Sequence, residues 1–352
     1  MDINPYLNLM IKEDASDVFF TVGTTIRFKI SGKIKSVGKT IITAETTEAI
    51  ANNIMTEEQR AVFEKELELD FAISVFDGKA RFRVNAFRQQ GFICFVMRLV
   101  KGTVPTIKEL KLPPILSKLI LEKRGLLLMV GATNSGKSTT LAAMLNHRNE
   151  QQAGHILTIE DPIEFVHPPK KSLVNQRELS VDTRSYLRAL KSALRESPDV
   201  ILVGEIRDQE TMSAAIELSN TGHLAISTLH ANNANQALQR IINLFPITQH
   251  KQLFMDLSLN LVALLSQRLV VSVDGKRAAA VEVMRNTPFI AELILKGKLD
   301  EIKDAMEGSG AEGMQTFDLA LFNLYKEGRI TLEEALNNAD SRTNLQQDIT
   351  FC

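Results

Sequence analysis

Apolar and polar positions alternate with a period of two along much of the first hundred residues. The clearest case is Ala80–Phe87, where every second residue is apolar and two of the residues between them are arginines. Such alternation predicts strands with one buried face. Similar runs predict four more strands, at Asp17–Val22, Ile26–Ile30, Phe71–Phe76 and Ile93–Leu99.

Helical spacing of apolar residues replaces this alternation between Thr43 and Glu66. Thr43 and Thr56 are typical helix N-caps, and Gln59 completes a capping box with Thr56. Residues 1–100 are therefore predicted to form a small α+β domain. Gly102, Pro105, Pro113 and Pro114 interrupt any regular element after it, which predicts an interdomain linker over residues 101–114.

The rest of the chain, residues 115–352, alternates apolar strands with segments long enough for crossover helices. This pattern predicts a mostly parallel sheet covered on both faces, the α/β fold class. The predicted strands are Leu126–Val130, His155–Ile159, Val200–Val203, Leu224–Ser227 and Leu269–Val273. Asp274-Gly275 predicts a hairpin turn into a strand at Ala278–Met284, and the tail from Pro288 is predicted helical with a break at Gly308–Gly310.

Composition narrows the possible classes of protein. The chain is 44% hydrophobic and 24% charged, which is typical of a folded globular protein. Its 41 basic and 42 acidic residues give a net charge of -1, so no global field attracts a nucleic acid. Two cysteines, Cys94 and Cys352, supply neither a disulfide framework nor a four-cysteine zinc site. Without a signal peptide or an apolar span, we expect an intracellular protein.

A glycine loop stands between the apolar strand that ends at Val130 and a helix-forming segment. Strand, glycine loop and helix together are the context of a phosphate-binding loop. Backbone N–H groups of such a loop face a β-phosphate, Lys137 can reach the β and γ oxygens, and the Ser138 hydroxyl can bind Mg²⁺. The predicted nucleotide-binding residues are Gly131, Ala132, Thr133, Asn134, Ser135, Gly136, Lys137, Ser138 and Thr139. They leave the base of the nucleotide undetermined.

Acidic residues follow two of the other predicted strands. Glu160, Asp161 and Glu164 come after one strand, and Glu205 comes after Val200–Val203. At the carboxyl end of a parallel sheet, such carboxylates can hold Mg²⁺ or orient an attacking water. A solvated acidic turn is the alternative. His223 and His230 bracket the next strand, where they are either structural or functional, and no third ligand at a suitable spacing indicates a metal site.

Three functional hypotheses are compatible with these residues. The first is an enzyme that hydrolyses ATP or GTP, and nothing in these residues says what the hydrolysis drives. The second is a nucleic-acid translocase, which the charge balance and an aromatic content of 6% without tryptophan do not favour. The third is a non-hydrolytic adaptor, which is hard to reconcile with Lys137, Glu164 and Glu205 all being present.

Four segments in order resemble the motifs of the secretion ATPase superfamily: Gly131–Ser138, Ile159–Glu164, Val203–Asp208 and Thr221–Asn232. They are similar to its Walker A, Asp-box, Walker B and His-box motifs. The resemblance runs from about residue 3 to residue 340 and is strongest to the type IV pilus retraction ATPases, the PilT/PilU group. The segments Gly78–Phe87 and Gly313–Asp318 also resemble that group.

The resemblance implies a homohexamer of subunits with a PAS-like amino-terminal domain and a RecA-like P-loop NTPase core that binds ATP and Mg²⁺. It implies that Glu164 activates water, that Glu205 and Ser138 hold Mg²⁺, and that His223 and His230 sense the γ-phosphate. Arg81, Arg83 and Arg98 would be basic residues facing the phosphates. Arginines that alternate along a strand are also typical of a solvated face.

Details of the resemblance favour the accessory, PilU-type motors. The segment His230–Leu238 is similar to theirs, and the residues after Thr287-Pro288 lack the Arg and Asn that PilT-type motors carry. The implied function is pilus retraction in twitching motility alongside a PilT-type ATPase. The implied location is the cytoplasm, with docking on an inner-membrane platform protein of the PilC type and no nucleic-acid partner.

Overall fold

The computed structural model describes residues 1–30, 32–76, 80–100, 102–308 and 313–351. The chain divides into two compact units. The first comprises Met1–Thr103 together with Glu164–Val166, and the second comprises Val104–Ile163 and His167–Cys352. Parts of two sequence motifs, Gly78-Lys79 and the Ser309-Gly310 portion of the glycine break, lie outside the described residues, as does Cys352.

The first unit is built on a six-stranded antiparallel sheet in the order β3-β2-β1-β6-β5-β4. Alternation along its strands separates a buried face from a partly solvated one, as the sequence predicts. The elements are α1 (Asn4–Lys12), β1 (Asp17–Phe20), β2 (Thr25–Ile30), β3 (Lys33–Ile41), α2 (Ala44–Ile54), α3 (Glu57–Glu66), β4 (Glu68–Val75), β5 (Ala80–Gln89) and β6 (Phe92–Val100).

The helix starts in this unit confirm the sequence prediction. The Thr43 hydroxyl accepts a hydrogen bond from the Thr46 N–H at the start of α2. Thr56 and Gln59 form the predicted reciprocal capping box at the start of α3, with bonds of 2.9 and 3.2 Å. These bonds satisfy N–H groups that a helix start would otherwise leave without partners.

The second unit contains a seven-stranded sheet in the order β13-β12-β7-β11-β10-β8-β9. All strand pairs are parallel except β12–β13, which forms a hairpin through Asp274-Gly275. The elements are α4 (Ile115–Leu119), β7 (Gly125–Val130), α5 (Lys137–Gln151), β8 (Gly154–Glu160), β9 (Ser172–Glu178), α6 (Tyr186–Ala193), β10 (Val200–Val203), α7 (Gln209–Asn220), β11 (Leu224–Leu229), α8 (Ala234–Asn243), α9 (His250–Asn260), β12 (Leu261–Val271), β13 (Arg277–Arg285), α10 (Pro288–Leu295), α11 (Ile302–Gly308), α12 (Phe317–Lys326), α13 (Leu332–Asn338) and α14 (Arg342–Phe351).

Both faces of this sheet are covered, as predicted. Leu126, Leu128 and Val130 of β7 pack into one hydrophobic cluster, while Leu127 and Met129 pack into another. Because β7 is buried on both faces, its sequence is an unbroken apolar run. The glycine loop begins where this run ends. No helix in the described part of the chain is long and apolar enough to cross a membrane.

Several predictions about individual segments need correction. The predicted strand Leu269–Val273 is wrong in its bounds, because β12 begins eight residues earlier, at Leu261. Two strands, β3 and β9, have no counterpart in the prediction; both lie at sheet edges. The segment predicted as a linker places Ile107 and Leu112 in a core cluster of the second unit.

Candidate active site

The loop after β7 has the backbone of a phosphate cradle. Gly131, Asn134 and Gly136 all have positive φ, at 153°, 63° and 84°, and α5 begins directly after Gly136. Positive φ is readily adopted by glycine and tolerated by asparagine, which explains these residue types. The N-terminus of a fifteen-residue helix then adds its unpaired N–H groups and its dipole, which together attract a phosphate.

Side chains of the loop fit the same ligand. The Lys137 ammonium donates to the carbonyl oxygens of Gly131 and Ala132 at 2.7 and 2.9 Å, so it lies over the loop. Within the described ranges, no hydrogen-bond partner lies near the buried Ser135 Oγ. A buried hydroxyl of this kind, beside a lysine and a helix N-terminus, suits the oxygens of a phosphate chain.

Parallel strands bring the other predicted residues to the edge where this loop lies. Strands β7, β11, β10 and β8 are consecutive neighbours, with Val130 opposite Leu229 and Val203 opposite Ser227. The loop, His230 and Glu205 follow these strands at their carboxyl ends. Ligands of open parallel sheets bind at this edge.

Glu205 is the centre of a small charged cluster at that edge. Its carboxylate accepts a hydrogen bond from the Arg207 Nε at 2.8 Å and lies 3.1 Å from the His230 Nε2. The bond to Glu205 raises the pKa of the Arg207 guanidinium. The Glu205 side chain is only 18% exposed, whereas those of Arg207 and His230 are 63% and 41% exposed. Arg207 lies within the sequence motif but was not among the predicted site residues.

Tyr186 is a second residue that the sequence prediction missed. Its hydroxyl approaches Gly204 so closely that a Cβ there would lie 2.7 Å from it, which explains the glycine. Burial raises the pKa of this phenol, and the negative charge of Asp161 adds to the rise. Tyr186 begins α6, eighteen residues before Gly204, so no local motif marks it.

Glu160 and Glu164 of the Asp-box belong to different compact units of the chain. Glu160 ends β8 and accepts a hydrogen bond of 2.6 Å from the Thr158 hydroxyl. Glu164 is exposed and begins the short segment Glu164–Val166 that groups with the first unit. The described residues contain no cluster of three or more His, Cys, Asp or Glu suited to a metal ion.

His223 does not join the loop within this chain. It precedes β11, and its carbonyl oxygen accepts a hydrogen bond from the N–H of Gly125 at the start of β7. The His223 Nδ1 lies 3.1 Å from both the Leu218 carbonyl oxygen and the Thr221 hydroxyl. The loop follows the carboxyl end of β7, and β11 runs parallel to β7. His230 follows the carboxyl end of β11, so of the two histidines only His230 is on the loop side.

The three predicted arginines lie together on the partly solvated face of the first sheet. Arg83 of β5 is directly opposite Arg98 of β6, and Arg81 lies two residues along on the same face. Arg98 also pairs with the buried Asp17 at 2.7 Å. The first unit therefore presents three arginines on one face of its sheet, and Arg98 among them pairs with a buried acidic residue.

Comparison with known proteins gives consistent matches. The model of the family described as type II/IV secretion system protein matches residues 1–342. The type IV pilus ATPase PilU of Pseudomonas aeruginosa is 49% identical over 98% of this chain and 91% of its own. The retraction ATPase PilT of the same species is 42% identical over 96% of this chain and 98% of its own. A crystal structure of the pilus retraction motor PilT with bound ADP has a TM-score of 0.92 and 39% identity, covering 99% of both chains.

Proposed function

The chain belongs to the type II/IV secretion system protein family, and from this we propose that it powers type IV pilus retraction as a PilU-type accessory motor. It is an ATPase of the retraction group, with a RecA-like core. The observation that carries the proposal is the phosphate-binding loop beside the Glu205–His230 pair at one sheet edge. The near full-length similarity to PilU and PilT supports the same conclusion.

Residues of the second unit would bind the nucleotide. The N–H groups of Gly131–Ser138, followed by Thr139, surround the phosphates, and Lys137 turns its ammonium from the loop carbonyls to the phosphate oxygens. Ser138 and Glu205 would hold Mg²⁺, which when bound neutralises charge on the β- and γ-phosphates. We assign to His230, whose Nε2 lies 3.1 Å from the Glu205 carboxylate, the role of sensing the γ-phosphate.

Hydrolysis requires a base and further positive charge. We assign the base to Glu164, which would take a proton from the attacking water, because it closely follows the end of β8 and its side chain is exposed. Arg81, Arg83 and Arg98 would stabilise the charge that develops on the phosphates, in the manner of arginine fingers. His223 has no part in this assignment within one subunit.

The proposed assembly is a homohexamer of subunits, each with a PAS-like amino-terminal domain in residues 1–100, a linker in 101–114 and the ATPase domain in 115–352. Its proposed partners are a PilT-type ATPase and a PilC-type platform protein at the cytoplasmic face of the inner membrane. Nucleotide-driven domain closure would turn hydrolysis into movement of that platform.

Phosphate release from ATP by the purified protein tests this proposal. The wild type and Lys137→Ala are compared alone and with a PilT-type ATPase, and solution mass is measured on the same samples. We expect release that depends on Lys137, from a six-subunit particle alone or on addition of the partner. Equal release from both proteins under every condition would contradict the proposal.

A further inference from the structure

Gln267 of β12 contacts the phosphate-binding loop from the side of the neighbouring strand. Its amide nitrogen donates to the Ser135 carbonyl oxygen at 2.8 Å, and its amide oxygen accepts from the Thr140 hydroxyl at 2.7 Å. The residue is 2% exposed. Because Ser266 pairs with Val130, the next residue of β12 is level with the first residue of the loop.

The orientation of this amide is dictated by its partners. A backbone carbonyl oxygen can only accept a hydrogen bond, so the group facing Ser135 must be the NH₂. The oxygen then faces Thr140, whose hydroxyl can donate. Thr140 lies in the first turn of α5, so the amide links the loop to the helix that follows it.

The hydrogen bond to Ser135 determines where the next N–H points. In a trans peptide, the C=O and the N–H lie on opposite sides of the chain. When the Ser135 carbonyl is directed to Gln267, the Gly136 N–H is directed away from β12. Backbone N–H groups in such a loop are the donors that bind a phosphate at the N-terminus of the following helix.

Both glycines of the loop lie where Gln267 comes closest. A Cβ at Gly136 would be 2.8 Å from the Gln267 amide nitrogen, and a Cβ at Gly131 would be 2.5 Å from its backbone oxygen. A side chain at either position would push the loop and β12 apart. The two glycines of the loop therefore leave the space in which Gln267 packs against it.

We propose that Gln267 is a positioning residue for the nucleotide, which orients the Gly136 N–H toward the β-phosphate without touching it. This inference rests on the proposed function, because it takes the loop to bind a nucleotide. It adds a residue more than 120 positions from the loop, on a strand that carries none of the sequence motifs.

Calorimetric titration with ADP tests the inference on the full-length protein. Gln267→Met keeps the shape of the side chain and removes its hydrogen bonds. We expect the ADP dissociation constant to rise about tenfold, the size associated with one supporting hydrogen bond, with the number of sites per chain unchanged. Gln267→Glu, which has no N–H to donate, gives a rise at least as large.

A matched control separates positioning from general stability. Asn286 donates its amide to the Ser258 carbonyl oxygen at 2.8 Å, beyond the end of the β12–β13 hairpin that lies at the amino end of β7, opposite the loop. Asn286→Leu should leave the dissociation constant unchanged. Thr140→Val removes only the contact that orients the Gln267 amide, and its smaller rise, about threefold, provides a second measurement if Gln267→Met folds poorly.

One outcome overturns the inference: fewer sites per chain, or a lower unfolding temperature, with the dissociation constant of the folded protein unchanged in the Gln267 and Thr140 variants. A purely structural role gives that result. Failure of the proposed function looks different, because ADP would then bind Lys137→Ala as tightly as the wild type.

Discussion

Each of the two units contains a sheet that carries candidate functional residues, but these residues occupy different parts of the two sheets. In the second unit, the loop, Glu205 and His230 lie at the carboxyl edge of parallel strands. In the first unit, Arg81, Arg83 and Arg98 lie on the face of an antiparallel sheet. Residues that follow the carboxyl ends of neighbouring parallel strands can converge on one ligand. Side chains on one face of a sheet instead point in the same direction and form a surface.

This difference separates two kinds of contribution. The second unit brings a helix N-terminus, a lysine and a largely buried carboxylate to the same end of its sheet. The described part of the first unit instead places three arginines on the face of a sheet. We therefore expect binding of the nucleotide to depend on the second unit and hydrolysis to depend on both.

Arg83 provides the largest expected effect. If the basic cluster stabilises charge during hydrolysis, Arg83→Ala should lower kcat about 10³-fold, the size typical of an arginine finger, with ADP affinity nearly unchanged. Asn85→Ala is the control, because Asn85 lies two residues along on the same face of β5. Steady-state phosphate release measures both. Equal activity of the two variants would show that the arginines are only a solvated face.

Replacement of Glu164 and of Glu205 should give the next largest effects, and the two effects should differ. Glu164→Gln should lower kcat about 10²-fold or more through loss of the base, while ATP remains bound. Glu205→Gln should instead raise the Mg²⁺ concentration needed for activity, because Glu205 is assigned to the metal. Titration of phosphate release against Mg²⁺ separates these roles. A Glu164 variant with most of its turnover, beside an inactive Glu205 variant, would reverse the assignment.

A buried carboxylate of the second unit predicts an effect of pH on the stability of the protein. Glu282 of β13 accepts hydrogen bonds of 2.7 Å from the Ser266 hydroxyl and the Ala234 N–H. Burial raises the pKa of its carboxyl from 4.5 to about 7. Between these values the native state keeps a proton that the unfolded chain releases, so this group lowers stability as the pH rises through that range.

Replacement of Glu282 tests the sign of that effect. Glu282→Gln cannot ionise, so its free energy of unfolding relative to the wild type should increase by about 3 kcal/mol between pH 4.5 and pH 8. Urea unfolding across this pH range measures the difference. A difference that does not change with pH would mean that Glu282 is ionised at the same pH in both states.

Asp17 of the first unit gives the smallest expected effect. Its side chain is 4% exposed, and the Arg98 Nε donates to it at 2.7 Å. Arg98→Ala should lower the free energy of unfolding by about 1–3 kcal/mol, because a buried acceptor loses its charged partner. Lys29→Ala, on the residue opposite Asp17 in β2, should cost less than about 0.5 kcal/mol. Equal losses in urea unfolding would argue against the pair.

Local sequence patterns predicted the parts of the fold that depend on neighbours along the chain. The capping box at Thr56 and the strand–loop–helix at Gly131–Ser138 are both confirmed as structure. Alternation failed for β3 and β9, because edge strands with little buried surface need no apolar face. The run Leu261–Val271 is buried on both sides and has no alternation to mark its start.

The candidate site was predictable only where its residues follow a motif. Glu205 and His230 meet because their strands are neighbours, and both follow apolar runs in the sequence. Tyr186 and Gln267 approach the site from distant segments through contacts that only the fold creates. His223 shows a different limit of sequence prediction. It is close to His230 in the sequence and was predicted to act with it, but the two residues lie at opposite ends of β11.

The most direct test of the division between units is ADP affinity, measured by calorimetry on Lys137→Ala and Arg83→Ala side by side. Lys137→Ala should bind ADP at least about tenfold more weakly than the wild type, since it loses charge-assisted hydrogen bonds to phosphate. Arg83→Ala should bind ADP as the wild type does. If Arg83→Ala loses affinity as severely as Lys137→Ala, nucleotide binding does not belong to the second unit alone, and the central claim is wrong.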